Sequence, residues 1–347
     1  MHLTRRGKVI FGVGILAAAI VALSTILALA GKGPKPLQGI GHAFGVHSKP
    51  APIFCPLTHQ QVKHLPNRPA LAIKVENLPQ ARPQAGLGSA DIVYEEPVEG
   101  GITRFIALFQ CSDNSRVGPV RSARMTDSMV LPQYGHPVFG YAGGVPQVVH
   151  AVDAAGVKDE NYNIAVNAYI RDPNRPEPHN LYTSTQALWK AAAKYHESPP
   201  SQVFQYGGLP DASKRVSFVH LDFSGTSDVY WRWDRQRHVW LRYHGTVPHM
   251  LESNLQVSAQ NVVVQVVKIH FDGLSDVLGT PSPEAVTVGT GKAFVFRNGR
   301  MIVGKWVRGS VGDVTQFETL SGDTIQLAPG TTWVELFPNN LKVVTGK

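Results

Sequence analysis

Cysteine is scarce in this chain. Only Cys55 and Cys111 occur in 347 residues, and their spacing leaves no C-x-x-C motif for a metal or a redox pair. Other signatures are missing as well. Fourteen histidines include no H-E-x-x-H, and no G-x-S-x-G elbow is present. Gly289-Thr290-Gly291-Lys292 lacks the length and the trailing Ser/Thr of a phosphate-cradling loop. His220, His238, His244, His249 and His270 are scattered among β-type runs, as strand decoration would be. No metal and no cofactor is expected from these absences, and no repeat of solenoid or propeller spacing occurs.

Acidic side chains are also missing from residues 1–54, which hold six Lys/Arg. The formal charge of +8 is concentrated there. Residues 55–200 carry 13 basic and 13 acidic side chains, and residues 201–347 carry 14 and 12. A near-neutral body lacks the basic footprint of a nucleic-acid binder, so no nucleic-acid partner is expected. Ile10 to Ala30 runs for 21 residues without a charge, about 30 Å as a helix and enough to cross a bilayer core. Arg5, Arg6 and Lys8 precede it, so residues 1–9 are placed in the cytoplasm and the body outside. A retained single-pass anchor at 10–30 fits the length of the run. A cleaved signal peptide is the competing reading, because Ala28-Leu29-Ala30 resembles a cleavage site. Either way the body is extracytoplasmic, where a Cys55–Cys111 disulfide could persist; two unrelated buried thiols are the alternative.

Residues 31–54 are rich in Gly and Pro and read as a spacer. From 55 to 198 strand-like runs such as Pro69 to Val75, Ile92 to Tyr94 and Phe105 to Phe109 alternate with helical patterns, including one begun by Thr183 or Ser184. Prolines and glycines at 199–214 suggest a linker. From 215 to 347 short β-branched and aromatic runs are separated by turns, with Asn298-Gly299 a two-residue hairpin signal. The expected fold class is α+β: a mixed α/β N-terminal domain followed by a mostly antiparallel β C-terminal domain.

The charges concentrate between Ala90 and Asp127. Glu95, Glu96, Glu99, Arg104, Arg116, Arg121 and Arg124 crowd two strand-like runs, and Asp127 follows. Charges packed this closely need partners, either one another or a ligand. Strand alternation puts Glu95 and Glu96 on opposite faces, with Arg104 on the face of Ile106 and Leu108.

Several blocks also carry a family likeness. Tyr94 to Phe105 (YEEPVEGGITRF), Val117 to Arg124 (VGPVRSAR) and Pro178 to Ser184 (PHNLYTS) resemble signature blocks of the YerB-like lipoprotein family, an envelope group of unknown function. Cys55 to Thr58, Asn261 to Gln265 and Gly330 to Leu336 fit as well, so the likeness spans nearly all of the body. It implies a surface protein with an N-terminal mixed domain and a C-terminal β domain, and it supplies no mechanism. Where a lipid-modified cysteine would stand after the apolar run, this chain has none.

The leading expectation is a membrane-anchored envelope protein. It would bind an anionic cell-wall or lipid-linked glycan through Arg104, Arg121 and Arg124, with Asp127, Asn180 and Tyr182 nearby, since guanidinium forks match carboxylate and phosphate. Internal pairing of these arginines with Glu95, Glu96, Glu99 or Asp127 is the alternative. A second reading is a glycan hydrolase or transferase using Glu95, Glu96 or Glu99 with His179 as acid or base. Local hydrogen bonding of Asn180 and Tyr182, with His179 on a core carboxylate, is its bland counterpart. A scaffold for wall-synthesis proteins is the third. Trp231, Trp233, Trp240 and Tyr243 alternate as core residues do, and a glycan-stacking face is the other use of such a stripe.

Overall fold

Alternation on one central strand sets the layering of this molecule. The computed structural model describes residues 51–276 and 278–347. The expected cytoplasmic segment, the anchor at 10–30 and most of the spacer lie outside the described residues. Among those described, no helix is long and apolar enough to cross a membrane.

The first half of the chain supplies strands β1 (Leu71–Glu76), β2 (Ile92–Pro97) and β3 (Thr103–Phe109), helix α1 (Met125–Val130), strand β4 (Val138–Gly140) and helices α2 (Pro146–Ala154) and α3 (Thr185–Ala192). The second half supplies β5 (Phe218–Ser224), β6 (Ser227–Asp234), β7 (Val239–His244), β8 (Asn261–Ser275), β9 (Pro281–Val286), β10 (Gly289–Arg297), β11 (Arg300–Arg308), β12 (Thr332–Pro338) and β13 (Val344–Gly346). The fold is broadly α+β.

A twelve-stranded sheet runs in the order β11, β10, β8, β12, β2, β3, β1, β4, with short strands at both ends and β9 branching from β8. β2 and β3 form the antiparallel hairpin their short connection demands, and Gly100 and Gly101 take φ of 69° and 71° in its turn. Asn298-Gly299 closes the β10–β11 hairpin with φ of 51° and 65°, the left-handed pair a two-residue turn needs.

Both faces of this sheet are buried. On β2 and β3, Val93, Phe105 and Ala107 point toward a six-stranded sheet that includes β5, β6, β7 and β13. Ile92, Tyr94, Ile106 and Leu108 point the other way, toward α1 and α2 through Val130, Val148 and Val152. Burial on both sides explains why these strands carry nearly unbroken apolar runs. Any charge on them is forced into the interior.

The contacts between the two halves add what the sequence did not show. The two halves share one sheet: β12, near the C-terminus, pairs in parallel with β2 through Thr332 to Glu335, and Pro52–Lys347 forms one compact unit. Residues 199–214, read as a linker from their prolines, pack against the core. Val203 and Phe204 are buried, and the Leu327 amide donates to the Gln205 carbonyl at 2.7 Å. Proline and glycine composition reports a lack of regular structure, not a lack of packing. Cys55 and Cys111 are joined in a disulfide with a Cα–Cα distance of 6.0 Å, tying the start of the body to the end of β3.

Candidate functional site

The segment 117–124 is woven between four other pieces of backbone, Ala85 among them. The Glu76 amide donates to Pro119 O at 2.9 Å, Arg121 N to Lys74 O at 2.9 Å, Val120 N to Leu181 O at 2.6 Å and Ala123 N to Gly143 O at 3.0 Å. Gly118 has φ of 151°, and a Cβ there would lie 2.8 Å from the Leu181 carbonyl oxygen, so a side chain would break this crossing. The blocks at 94–105, 117–124 and 178–184, separate in sequence, therefore meet around the end of β1.

A cleft of about 400 Å³ opens beside this crossing, lined by Glu99, Arg104, Arg121, Arg124, Asp276 and Ser282 among others. The three arginines differ sharply in how they are held. Arg124 precedes α1: its Nη2 donates to Glu99 at 2.6 Å and its Nη1 to Ala123 O at 2.7 Å, while its amide donates to the Asp127 carboxylate at 2.6 Å. Arg121 donates through Nε to Glu76 at 3.0 Å and keeps a quarter of its side chain exposed. Arg104 is 6% exposed, and its only side-chain hydrogen bond among the described residues is from Nη1 to the Ser122 carbonyl at 2.9 Å. It forms no ion pair among the described residues, and its Nε is buried without a partner. Burial, reinforced by Arg124 and Arg121, lowers the Arg104 guanidinium to about 9, against the upward pull of Glu99.

The carboxylates of the cleft are already engaged. Glu99 takes Arg124 and the Ser282 hydroxyl. Burial pushes its carboxyl up, yet the hydrogen bond and charge of Arg124 bring the net result below the ordinary value. Asp276 accepts the Leu278 and Thr280 amides, each at 2.9 Å. An anion entering the cleft would meet a buried guanidinium with unfilled donors, beside a partly exposed second one.

The remaining sequence candidates are dispersed. Glu95 and Glu96 are fully buried on opposite faces of β2. Glu95 binds Arg242 at 2.6 Å, and Glu96 binds Lys74. Asp127 is also fully buried, 2.7 Å from Lys74 Nζ, and does not line the cleft. His179 Nδ1 lies 2.9 Å from Glu76, so it meets none of the three glutamates proposed as its catalytic partners. Asn180 accepts from Arg171 at 2.8 Å, and Tyr182 donates to Glu252 at 2.8 Å; neither lines the cleft. In all, Arg104, Arg121, Arg124 and Glu99 are brought together, and Asp127, Asn180, Tyr182 and the Glu–His set are not.

Sequence reading passed over Glu76, which holds both Arg121 and His179, and Lys74, the cation between Glu96 and Asp127. Their signal lay in the alternation of Leu71–Glu76, which places Lys74 and Glu76 on one face of a strand otherwise made for burial. Arg242 left a fainter trace, as a charge inside an aromatic run.

Comparison with known proteins bears on the same segments. Residues 56–198 match the N-terminal domain, and residues 219–334 the C-terminal domain, of a family described as protein of unknown function DUF3048. The Bacillus subtilis protein named "Putative lipoprotein YerB" is 29% identical over 304 residues, covering 83% of this chain and 86% of that protein. The crystal structure of YerB from Bacillus subtilis superimposes with a TM-score of 0.71 at 26% identity, over 82% of this chain and 96% of that one. The chain belongs to the DUF3048 family, the YerB-like group.

Proposed function

We propose that this is an extracytoplasmic envelope protein, held at the membrane by its N-terminal apolar segment, whose arginine cleft receives an anionic group of a cell-wall polymer or lipid-linked glycan. The observation that carries the reading is Arg104, a buried guanidinium with no carboxylate partner among the described residues and an unfilled Nε, at a cleft shared with Arg121 and Arg124. A buried cation without a counter-ion is costly, and an arriving phosphate or carboxylate supplies one. Location is supported by the uncharged run at 10–30 behind three basic residues, by the disulfide and by the naming of the Bacillus subtilis relative as a lipoprotein. Residues 10–30 would replace the lipid anchor, since no cysteine stands directly after them where a lipid would be attached.

The test is binding of pyrophosphate and of purified wall polymer by the full chain in detergent micelles, followed calorimetrically. Arg121→Ala and Arg104→Lys each remove part of the fork; hydrogen bonds to charged groups are worth about 1.5–3 kcal/mol, so affinity is expected to fall roughly 10- to 150-fold. Lysine at 104 keeps the charge, which separates loss of bidentate geometry from loss of folding. Undiminished binding in two folded variants rules out this cleft as the site.

A further inference from the structure

A second cleft, of about 510 Å³, lies at the edge of the six-stranded sheet. Its volume falls in the range of small-molecule sites, roughly 300–1,000 Å³. The walls come from three places brought together by backbone hydrogen bonds: Trp233 N donates to Ser217 O at 2.8 Å, and Val216 N to Gly299 O at 3.0 Å. Gly299, in the β10–β11 turn, sits so close to the indole that a Cβ there would lie 2.7 Å from Trp233 Nε1. Trp240 backs Trp233 at 5.3 Å between ring centroids and is itself fully buried, so the half-buried indole stands on a fixed support. Of the aromatic stripe, Trp231 and Trp240 went to the core. Trp233 did not.

Around this ring stand Arg215, Arg235, His238, Arg300 and Lys347, and among the described residues no Asp or Glu side chain lines the cleft. Arg300 is fixed by neutral acceptors alone, Nε to Ser213 Oγ and Nη2 to Ser213 O, both at 2.7 Å, so its charge is oriented and not cancelled. Arg215 and Arg235 are exposed and form no ion pair among the described residues. Asp234, between Trp233 and Arg235, accepts the Gln236 and Arg237 amides at 2.9 and 3.0 Å, which holds the turn that carries Arg235. The combination is an apolar aromatic platform rimmed by guanidinium forks.

We propose that this cleft binds a saccharide unit bearing a carboxylate or phosphate, its ring face on Trp233 and its anion among Arg215, Arg235 and Arg300. The site is separate from the arginine cleft beside β2 and β3 and does not depend on that reading. A nucleic acid also offers rings and phosphates. The near-neutral charge of the body, 27 basic against 25 acidic side chains from residue 55 onward, gives no extended track for a polyanion backbone and favours a short saccharide.

Four probes decide it with the full chain in detergent micelles: trigalacturonate, glucose 6-phosphate, neutral maltotriose and a thymidine hexanucleotide, titrated calorimetrically. At least one charged saccharide is expected to bind tenfold or more tighter than maltotriose, and which one does tells carboxylate from phosphate. The double variant Arg215→Ala/Arg235→Ala, exposed positions without ion pairs among the described residues, is expected to weaken that binding at least tenfold. Trp233→Phe should weaken it less. Equal affinity for maltotriose, tighter binding of the hexanucleotide, no binding of either charged saccharide at millimolar concentration, or indifference to the double variant would each overturn the proposal.

Discussion

Replacing Lys74 with methionine is expected to cost about 3–5 kcal/mol of folding stability, the loss that follows when one partner of a buried ion cluster is removed. Lys74 is fully buried, bonded to Glu96 and 2.7 Å from Asp127, both of them also fully buried. Methionine fills similar space, so the cost reports the stranded carboxylates and not a cavity. Burial already raises the Glu96 carboxyl to about 7, with Lys74 pulling it down and Asp127 pushing it up. A carboxyl raised in the folded state contributes stability that is present below its unfolded value, near 4.5, and is lost as pH climbs toward 7. Without Lys74 the rise grows, so the deficit should be larger at pH 8 than at pH 5. Urea denaturation of parent and variant at both pH values measures it, and an equal deficit at the two would sink the electrostatic account.

Arg242→Met should be comparably severe, again about 3–5 kcal/mol, because it leaves Glu95 buried without a cation. Arg242 reaches across from β7 in the smaller sheet to Glu95 on β2, 2.6 Å away, and its Nη1 meets His249 Nδ1 at 2.8 Å. Glu335, beside Glu95 in the β2–β12 register, is pushed well above the ordinary carboxyl range, first by burial and then by Glu95, so it brings no second cation to replace Arg242. Adding Glu95→Gln to the variant removes that charge and should recover much of the loss. The acid limb should change too. Burial, then Arg242, depresses both His244 and His249 below their usual 6.5. A base depressed in the folded state contributes stability that is present above 6.5 and lost as pH falls, because only the unfolded chain takes up the proton. Without Arg242 one cause of the depression is gone, so stability between pH 6.5 and 4.5 should fall less steeply than in the parent. An unchanged slope would show that Arg242 does not govern these rings.

These two clusters explain why the site was only partly legible. Strand alternation correctly separated Glu95 from Glu96 and put Arg104 with Ile106, since the side-chain period of a strand is local geometry. It could not name the partners. Arg242 lies 147 residues beyond Glu95, and Asp127 lies 53 beyond Lys74. The pairing Arg121–Glu76 was missed for a related reason: the segment 117–124 has no regular periodicity, and only its weave against β1 and Leu181 places Arg121 over Glu76. The contact between the two halves was equally illegible: β2 pairs in parallel with β12, joining strands some 240 residues apart in the chain. Parallel pairs leave no hairpin turn to read.

The sequence by itself determined the near-neutral body behind a basic, apolar N-terminus, the family blocks, the α+β class and the crowding of charge between Ala90 and Asp127. These follow from composition and from periods of a few residues. Only the tertiary structure decided which charges cancel. Glu95, Glu96 and Asp127 are neutralised inside by Arg242 and Lys74, and Arg124 closes on Glu99, while Arg104 keeps a buried guanidinium without a carboxylate among the described residues. The physical reason is that a charge is satisfied over about 3 Å of space, whatever the separation along the chain, and only the folded backbone sets that distance.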